Sequence, residues 1–246
     1  MRDICELYDI LANSERTVAF TGAGFSVPSG IPDFRSAGGI YDGGDFMGHS
    51  PEYMLSHDCL ESHPEEFYEF YRRNMICEDA RPNAAHMLLA ALEADGRLRS
   101  VVTQNIDGLH GDAGSKRVWE LHGSVRRNYC INCGARYGLD AVTGTEGVPR
   151  CAGCGGMIRP DVVLYGEGLD TFTVEGAEAD IAEADTLLVA GTSLTVYPAA
   201  SLVYMFEGEN LVLLNKSATG GDGIATLVLH EDIGEAAEEL MRLFGY

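Results

Sequence analysis

The feature that most constrains the fold is a series of short apolar runs separated by helical patterns. The runs lie at Thr17–Thr21, Leu98–Thr103, Val118–Leu121, Val162–Tyr165, Thr186–Ala190 and Leu211–Leu214. Amphipathic helical patterns occur between them and at the C-terminus, where residues 232–244 repeat apolar positions at helical spacing. Strands that alternate with helices predict an α/β fold with a parallel sheet covered by helices on both faces.

Two irregular segments interrupt this alternation. Residues 36–80 are rich in glycine before a helical pattern at 64–76, and residues 125–159 carry four cysteines and little periodicity. We expect both to be insertions that together form a smaller domain, a helical module and a zinc module. The larger domain is then discontinuous and consists of residues 1–35, 81–124 and 160–246.

The chain is strongly acidic, with a formal net charge of −21 from 38 acidic and 17 basic residues. Binding to phosphates requires clustered Lys and Arg, so direct binding to nucleic acid is not expected. The acidity fits solubility as well as long-range attraction of a cationic partner. No apolar run reaches the roughly 18 residues of a membrane helix, and the N-terminus lacks the cleavage site of a signal peptide. We therefore expect a cytoplasmic protein with no membrane partner.

Four cysteines form two C-x-x-C pairs, and 17 residues separate the pairs. They are Cys130, Cys133, Cys151 and Cys154. This spacing is typical of a four-thiolate zinc site, in which each pair presents two sulfur atoms to one point. Four thiolates leave no open coordination position, so the predicted Zn²⁺ is structural. A redox dithiol and a nucleic-acid-binding zinc ribbon are weaker alternatives.

A glycine-rich turn follows the first apolar run. Gly22-Ala23-Gly24-Phe25-Ser26 stands after a strand, where glycines let backbone N–H groups approach a phosphate. Val27 occupies the position of the third glycine in the usual dinucleotide fingerprint, and no acidic residue follows at the usual spacing. These departures disfavour a hydride-transferring dehydrogenase. A plain strand-to-helix turn is the alternative interpretation of this segment.

Polar residues also follow other predicted strands. They are Thr103-Gln104-Asn105-Ile106-Asp107, His122-Gly123, Gly191-Thr192-Ser193 and Asn215-Lys216. Ligands of open parallel sheets bind at the carboxyl ends of the strands. Asx-type turns that cap the next helix, and a structural histidine, would explain each segment singly. Four polar strand ends on one edge of the sheet together indicate a binding site.

These segments resemble the sirtuin family of NAD-dependent protein lysine deacylases. The resemblance rests on GAGFSVPSGIPDFRS (22–36), TQNIDGLH (103–110), HG (122–123), the two C-x-x-C pairs, GTSLTVYPAA (191–200) and LLNK (213–216). It covers essentially the whole chain, with the segments in family order. It implies a Rossmann-like sheet with a smaller zinc-ribbon and helical domain, NAD as co-substrate, and an acylated lysine in a protein or peptide as substrate.

The resemblance also implies roles for individual residues in binding NAD. The implied NAD-binding residues are Gly22, Ala23, Gly24, Ser26, Pro32, Asp33, Phe34, Arg35, Tyr41, Gln104, Asn105, Ile106, Asp107, Gly191, Thr192, Ser193, Asn215, Lys216, Asp232 and Ile233. Among them, Phe34 would shield the reacting ribose carbon. His122 would be the general base and Asn105 the second catalytic residue. The acyl group would pass from lysine to ADP-ribose with release of nicotinamide.

The acylated peptide would lie between the two domains as an added strand. The residues implied in binding it are Val163, Tyr165, Gly166, Glu167 and Val196. The family more often has Phe at the place of Tyr165. Members that prefer acidic acyl groups carry a Tyr-x-x-Arg pair. Here Tyr71 stands three positions after Tyr68, where that pair would have Arg. The resemblance therefore favours acetyl as the acyl group. A protein ADP-ribosyltransferase, an NAD glycohydrolase and a non-enzymatic zinc-containing binding module are the competing hypotheses.

Overall fold

The larger of two sheets contains six parallel strands. The computed structural model describes residues 2–34 and 38–246. The strands are β1 (Thr17–Thr21), β2 (Leu98–Thr103), β3 (Val118–Glu120), β7 (Thr186–Ala190), β8 (Asn210–Leu214) and β9 (Leu227–Leu229). Their order across the sheet is β3-β2-β1-β7-β8-β9. The predicted parallel sheet is confirmed, although the three-residue strand β9 was missed because so short a run carries no periodic signal.

From β1 the chain continues to β2 and β3 on one side of β1. It then crosses to β7 on the other side of β1 and continues outward to β8 and β9. The direction therefore reverses between β1 and β7, which pair in register from Thr17–Thr186 to Thr21–Ala190. On its other side, Thr21 pairs with Thr103 at the end of β2. The carboxyl ends of three strands thus lie side by side at the reversal, the place where open α/β sheets bind ligands.

Helices cover both faces of this sheet. The helices associated with this sheet are α1 (Arg2–Asn13), α5 (Ala84–Ala94), α6 (Leu109–Ala113), α8 (Thr171–Glu183) and α9 (Ile233–Phe244). Ala19 packs in the core with α1, α5 and α9, whereas its neighbours Val18 and Phe20 pack in the core with α8. Alternate side chains of β1 point to opposite faces, and both faces are buried, which explains the unbroken apolar run.

The smaller unit combines a three-stranded antiparallel sheet with short helices. Its strands, in the order β5-β4-β6, are β4 (Gly123–Cys130), β5 (Arg136–Tyr137) and β6 (Ile158–Val162). Its helices are α2 (Pro51–Met54), α3 (His57–Ser62), α4 (Pro64–Met75) and α7 (Asp140–Thr143). Phe67 and Tyr68 of α4 are fully buried against residues of β4 and β6. This aromatic core joins the two segments that the sequence indicated as insertions.

The predicted strand at Val162–Tyr165 is wrong in position and in partner. β6 ends at Val162 and pairs antiparallel with β4, which from Val125 onward lies in the segment that was expected to be irregular. Residues 163–165 continue as a loop, in which Val163 N donates to His122 O at 3.0 Å. A four-residue apolar run does not show in the sequence which strand it pairs with.

Within the two described ranges, no helix combines the length and the apolar character needed to cross a membrane.

Candidate active site

A single cleft of about 1020 Å³ lies between the carboxyl edge of the large sheet and the smaller unit. Every described residue that the sequence analysis assigned to NAD or to the acylated peptide lines it, as does His122. Arg35, which was also assigned to NAD, lies outside the described residues. The structure therefore brings together segments from seven separate parts of the chain.

The glycine turn after β1 packs directly on the loop after β7. Gly24 N donates to Gly191 O at 2.8 Å. A Cβ on Gly24 would lie 3.0 Å from Gly191 Cα, and one on Gly191 would lie 2.3 Å from Phe25 N. Gly191 also has φ +66°, a conformation that L side chains rarely adopt. Only glycine permits this approach, which leaves a narrow backbone floor at the reversal point of the sheet.

A hydrogen-bonded network joins the glycine turn to the end of β2. Asn105 is 8% exposed, and its Nδ2 donates to Gly22 O at 3.0 Å and to Ser26 Oγ at 3.1 Å. Ser26 Oγ donates in turn to Asp107 Oδ2 at 2.7 Å. Burial raises the pKa of Asp107 despite this hydrogen bond and one from Leu109 N. Both N–H bonds of the Asn105 amide are used, so any further hydrogen bond must be accepted by Oδ1.

His122 lies between β3 and β4, directly before Gly123, and faces the end of β2. Its Nδ1 is 2.9 Å from Gln104 O. A carbonyl oxygen only accepts, so Nδ1 carries the proton and Nε2 has the free lone pair. Burial lowers the pKa of His122 below its ordinary value of 6.5, although the bond to Gln104 opposes the shift. A neutral imidazole with a free Nε2 is a general base at neutral pH.

The far end of the cleft is formed by the loops after β7, β8 and β9. Gln104 Nε2 donates to Thr192 Oγ1 at 3.0 Å, which ties the β2 end to the β7 end. Asp232 caps α9 by accepting from Gly234 N at 2.9 Å. Asn215 N donates to Leu229 O at 3.0 Å, so the NAD-binding residues predicted after these strands stand on well-anchored backbone.

The opposite wall is the loop after β6. Tyr165 N donates to Leu55 O and His57 N donates to Tyr165 O, both at 3.0 Å. The Glu167 carboxylate accepts from Arg159 at 2.7 Å, from His57 at 2.9 Å and from Leu164 N at 3.0 Å. Burial alone would raise the pKa of Glu167, but these donors outweigh it and lower the pKa to about 2. The side chain of Glu167 therefore anchors its own loop.

Sequence reasoning missed part of the cleft. Tyr71, Asn74 and Met75 of α4 line it, together with Cys77 just beyond that helix. The apolar face of α4 was visible in the sequence as a helical pattern. No signal in the sequence distinguished a face that packs on the core from one that lines a cleft.

The four predicted metal ligands come together beyond the end of β4. Their sulfur atoms lie within 4.8 Å of one another, with 3.4 Å between Cys130 and Cys154 and 3.7 Å between Cys133 and Cys151. Thiolates bound tetrahedrally to Zn²⁺ are separated by about 3.8 Å, given Zn–S bonds of about 2.3 Å. Tyr137 Oη donates to Cys151 Sγ at 3.1 Å, as is typical of groups that support a metal ligand. The donor set fits Zn²⁺.

The fold and the cleft define an α/β protein with a dinucleotide site at the reversal of a Rossmann-like sheet. A model of the Sir2 family matches residues 22–198. A Clostridium acetobutylicum protein named NAD-dependent protein deacetylase is 52% identical over 239 residues, 97% of this chain and 98% of that protein. A Cutibacterium acnes protein of the same name is 51% identical over 94% of this chain and 95% of its own length.

Solved structures of Sir2 proteins are similar to this chain over nearly its whole length. A Sir2 complex with a p53 peptide and NAD+ has a TM-score of 0.86 and 41% identity, and the match covers 98% of both chains. A Sir2 structure bound to an acetylated peptide has a TM-score of 0.86 and 39% identity, again over 98% of both chains. The protein belongs to the Sir2 family, as the resemblance to sirtuins predicted.

Proposed function

We propose that the protein removes acyl groups, acetyl first, from lysine side chains and transfers them to ADP-ribose with release of nicotinamide. The observation that carries the proposal is the single cleft in which the glycine turn, the Asn105 network and the free Nε2 of His122 meet. The curated relatives named NAD-dependent protein deacetylase support NAD as co-substrate. Solved Sir2 structures with acetylated and propionylated peptides support an acylated lysine in a protein or peptide as the other substrate.

NAD would lie along the carboxyl edge of the large sheet. The backbone floor of Gly22, Gly24 and Gly191 suits a pyrophosphate, because no side chain keeps the phosphates at a distance. Asp107 and the Oδ1 of Asn105 can accept hydrogen bonds from a carboxamide or from ribose hydroxyls. When bound, NAD supplies an ADP-ribosyl group with nicotinamide as its leaving group. Phe34 and Tyr41, whose rings are 5.6 Å apart, would exclude water from that centre.

His122 would accept a proton from a ribose hydroxyl at Nε2. The Gln104 carbonyl holds the ring in the tautomer that this step requires and stabilises the imidazolium that forms. Asn105 would position the ribose, since its amide is itself fixed by Gly22 and Ser26. A positioned base of this type typically contributes about 10²–10⁴-fold to the rate.

The acylated lysine would enter from the side of Tyr165. The loop carrying Val163, Tyr165, Gly166 and Glu167 is anchored at both ends, so its backbone can pair with an added strand, with Val196 opposite. The zinc ion would brace the smaller unit without touching the reactants, since the four cysteines are outside the described lining of the cleft. We further propose that the chain divides into a larger and a smaller domain at the boundaries given in the sequence analysis.

We also propose that the protein acts in the cytoplasm. A site built from four free thiols suits a compartment that keeps cysteines reduced. Fractionation of cells that express a tagged protein tests this location, and recovery outside the cytoplasm would contradict it.

Mass spectrometry on an acetyl-lysine peptide tests the proposed reaction, with and without NAD and beside His122→Ala. We expect loss of the acetyl group and appearance of O-acetyl-ADP-ribose only with NAD and intact His122. ADP-ribosylated peptide would instead identify a transferase. Free ADP-ribose without deacetylation would identify an NAD glycohydrolase. If NAD is not consumed with any acyl peptide, the result would contradict the deacylase, the transferase and the glycohydrolase alike.

A further inference from the structure

A hydrogen bond between two tyrosine side chains joins the segment predicted to bind NAD to the loop predicted to bind the peptide. Tyr41 Oη and Tyr165 Oη are hydrogen-bonded to each other, although 124 positions separate them in the chain. Both residues line the cleft. Tyr165 remains 42% exposed, so the contact spans the mouth of the cleft and is not part of a packed core.

Tyr41 lies next to residues that were predicted to bind NAD. Tyr41 N donates to Phe34 O at 3.0 Å, and Ile40 N donates to Asp33 O at 2.9 Å. The Phe34 and Tyr41 rings also meet edge to face. A ligand that displaces Asp33 or Phe34 must therefore displace Tyr41 as well.

Tyr165 belongs to the wall on which the peptide would lie. Its backbone is held on both sides, by Leu55 O and by His57 N. Two residues further on, the Glu167 carboxylate anchors the loop to Arg159. The Tyr165 hydroxyl thus projects from a fixed loop and holds the hydroxyl of Tyr41 at one position.

We propose that the Tyr41–Tyr165 hydrogen bond is a positioning contact that couples the binding of the two substrates. The inference rests on the proposed function. A peptide that pairs with the loop at Tyr165 and leaves this bond intact favours the position of Tyr41 that keeps Asp33 and Phe34 against NAD. By linkage, NAD must strengthen peptide binding by the same factor. Both hydroxyls act through the residues next to them and take no part in the chemistry.

The proposal is tested by calorimetric titration of an acetyl-lysine peptide, with and without a saturating NAD analogue. The analogue has a carbocycle in place of the reacting ribose, so its nicotinamide bond is stable. The ratio of the two peptide dissociation constants is the coupling factor. We expect this ratio to fall by about three- to tenfold in Tyr165→Phe, the range that one hydrogen bond supplies. Tyr41→Phe should reduce it equally, and the double variant no further, because all three lack the same bond.

Tyr246→Phe is the matched control, since it removes a hydroxyl that bonds to Asp95 at 2.6 Å and does not line the described cleft. Its coupling factor should equal that of the unmodified protein. An unchanged factor in Tyr165→Phe would overturn the proposed contact while leaving the proposed function standing. Failure of the unmodified protein to bind either ligand would overturn both. Thermal melting of each variant separates a lost contact from a folding defect.

Discussion

The Nδ1 atom of His122 lies 2.9 Å from the carbonyl oxygen of Gln104. This contact links His122 to the end of β2 and leaves Nε2 as the free nitrogen of the ring. It also connects the general base to the residue that precedes Asn105, so base and ribose-positioning amide are held by the same short segment.

The activity should persist below the usual titration range of histidine. Burial lowers the pKa of His122 from 6.5, and the neutral form is the base. The acid limb of kcat/KM against pH should therefore fall below pH 6.5, and His122→Ala should lose about 10²–10⁴-fold in kcat. Initial rates from pH 5 to 9 check this. An acid limb above pH 6.5 would show a raised pKa and contradict the role of burial.

Gly191→Ala should weaken NAD binding strongly. The added methyl meets Phe25 N at 2.3 Å and places alanine at φ +66°, so the glycine turn must move. A misplacement of about 1 Å in a site can cost about 10²-fold, and we expect a loss of about this size in NAD affinity. Calorimetric titration with NAD measures the loss. Gly96→Ala is the control, because φ is +75° and no atom lies within 4 Å. Equal effects of the two changes on NAD affinity would exclude the steric explanation.

Cys151→Ser should remove the metal and loosen the smaller unit. Structural zinc sites contribute directly to folding, so loss of one thiolate should release Zn²⁺ and expose β4 to proteolysis. Metal analysis and limited proteolysis measure both effects. Cys5→Ser changes an exposed cysteine outside the cluster and should retain the metal. One bound zinc per chain in Cys151→Ser would show that another ligand set holds it.

Asp180→Asn should lower the stability of the larger domain. Asp180 is fully buried in α8 and accepts from Arg117, Arg99 and Trp119 at 2.7–2.8 Å. Burial alone would raise the pKa of Asp180, but these donors outweigh it and lower the pKa. Its contribution to stability is therefore present above the unfolded pKa of 3.8 and is lost as pH falls through the folded pKa.

For Asp180→Asn we expect a loss of about 2–4 kcal/mol in the free energy of unfolding, since the two arginines keep only a neutral partner. Urea denaturation at pH 7 measures it. Glu239→Gln removes a partly exposed carboxylate paired with the exposed Arg242 and should change stability by less than about 1 kcal/mol. A similar small effect for Asp180→Asn would contradict a structural role for the buried carboxylate.

Mild acid should destabilise the fold through two buried histidines. His86 and His110 lie with ring centroids 4.8 Å apart, and burial lowers their pKa values to about 4 and about 3. Both folded pKa values lie below the unfolded value of 6.5, so the unfolded state gains protons first. Stability should fall below pH 6.5, by up to about 1.4 kcal/mol per pH unit for each histidine.

His86→Gln should flatten this dependence. His86 Nδ1 accepts from Asn83 N at 3.3 Å in a capping box, and glutamine at this position can make the same bond without titrating. Denaturation midpoints measured from pH 7 to 5 compare the pH dependence of stability in His86→Gln with that in the unmodified protein. An unchanged slope would mean that His86 is not responsible.

The sequence alone determined the local elements and the chemistry. The apolar runs of β1, β2 and β7 and the helical pattern of α4 (predicted 64–76, observed Pro64–Met75) are set by periodicity within a few residues. The metal cluster followed from the spacing of four cysteines, since thiolate chemistry leaves few alternatives. The quoted family segments contained most of the described residues predicted for the cleft, because glycine turns and polar strand ends are local signals. The exceptions are Tyr41, the peptide-binding residues at 163–167, and Asp232-Ile233.

Tertiary structure decided which of these segments meet. The pairing of β1 with β7, the strand β4 and its partner β6, and the α4 wall of the cleft depend on contacts between distant parts of the chain. Whether His122 has Nε2 free, whether Glu167 faces substrate or Arg159, and whether Tyr41 reaches Tyr165 are equally matters of orientation. Packing of both units fixes these orientations, and periodicity in the sequence records only which side of an element is buried.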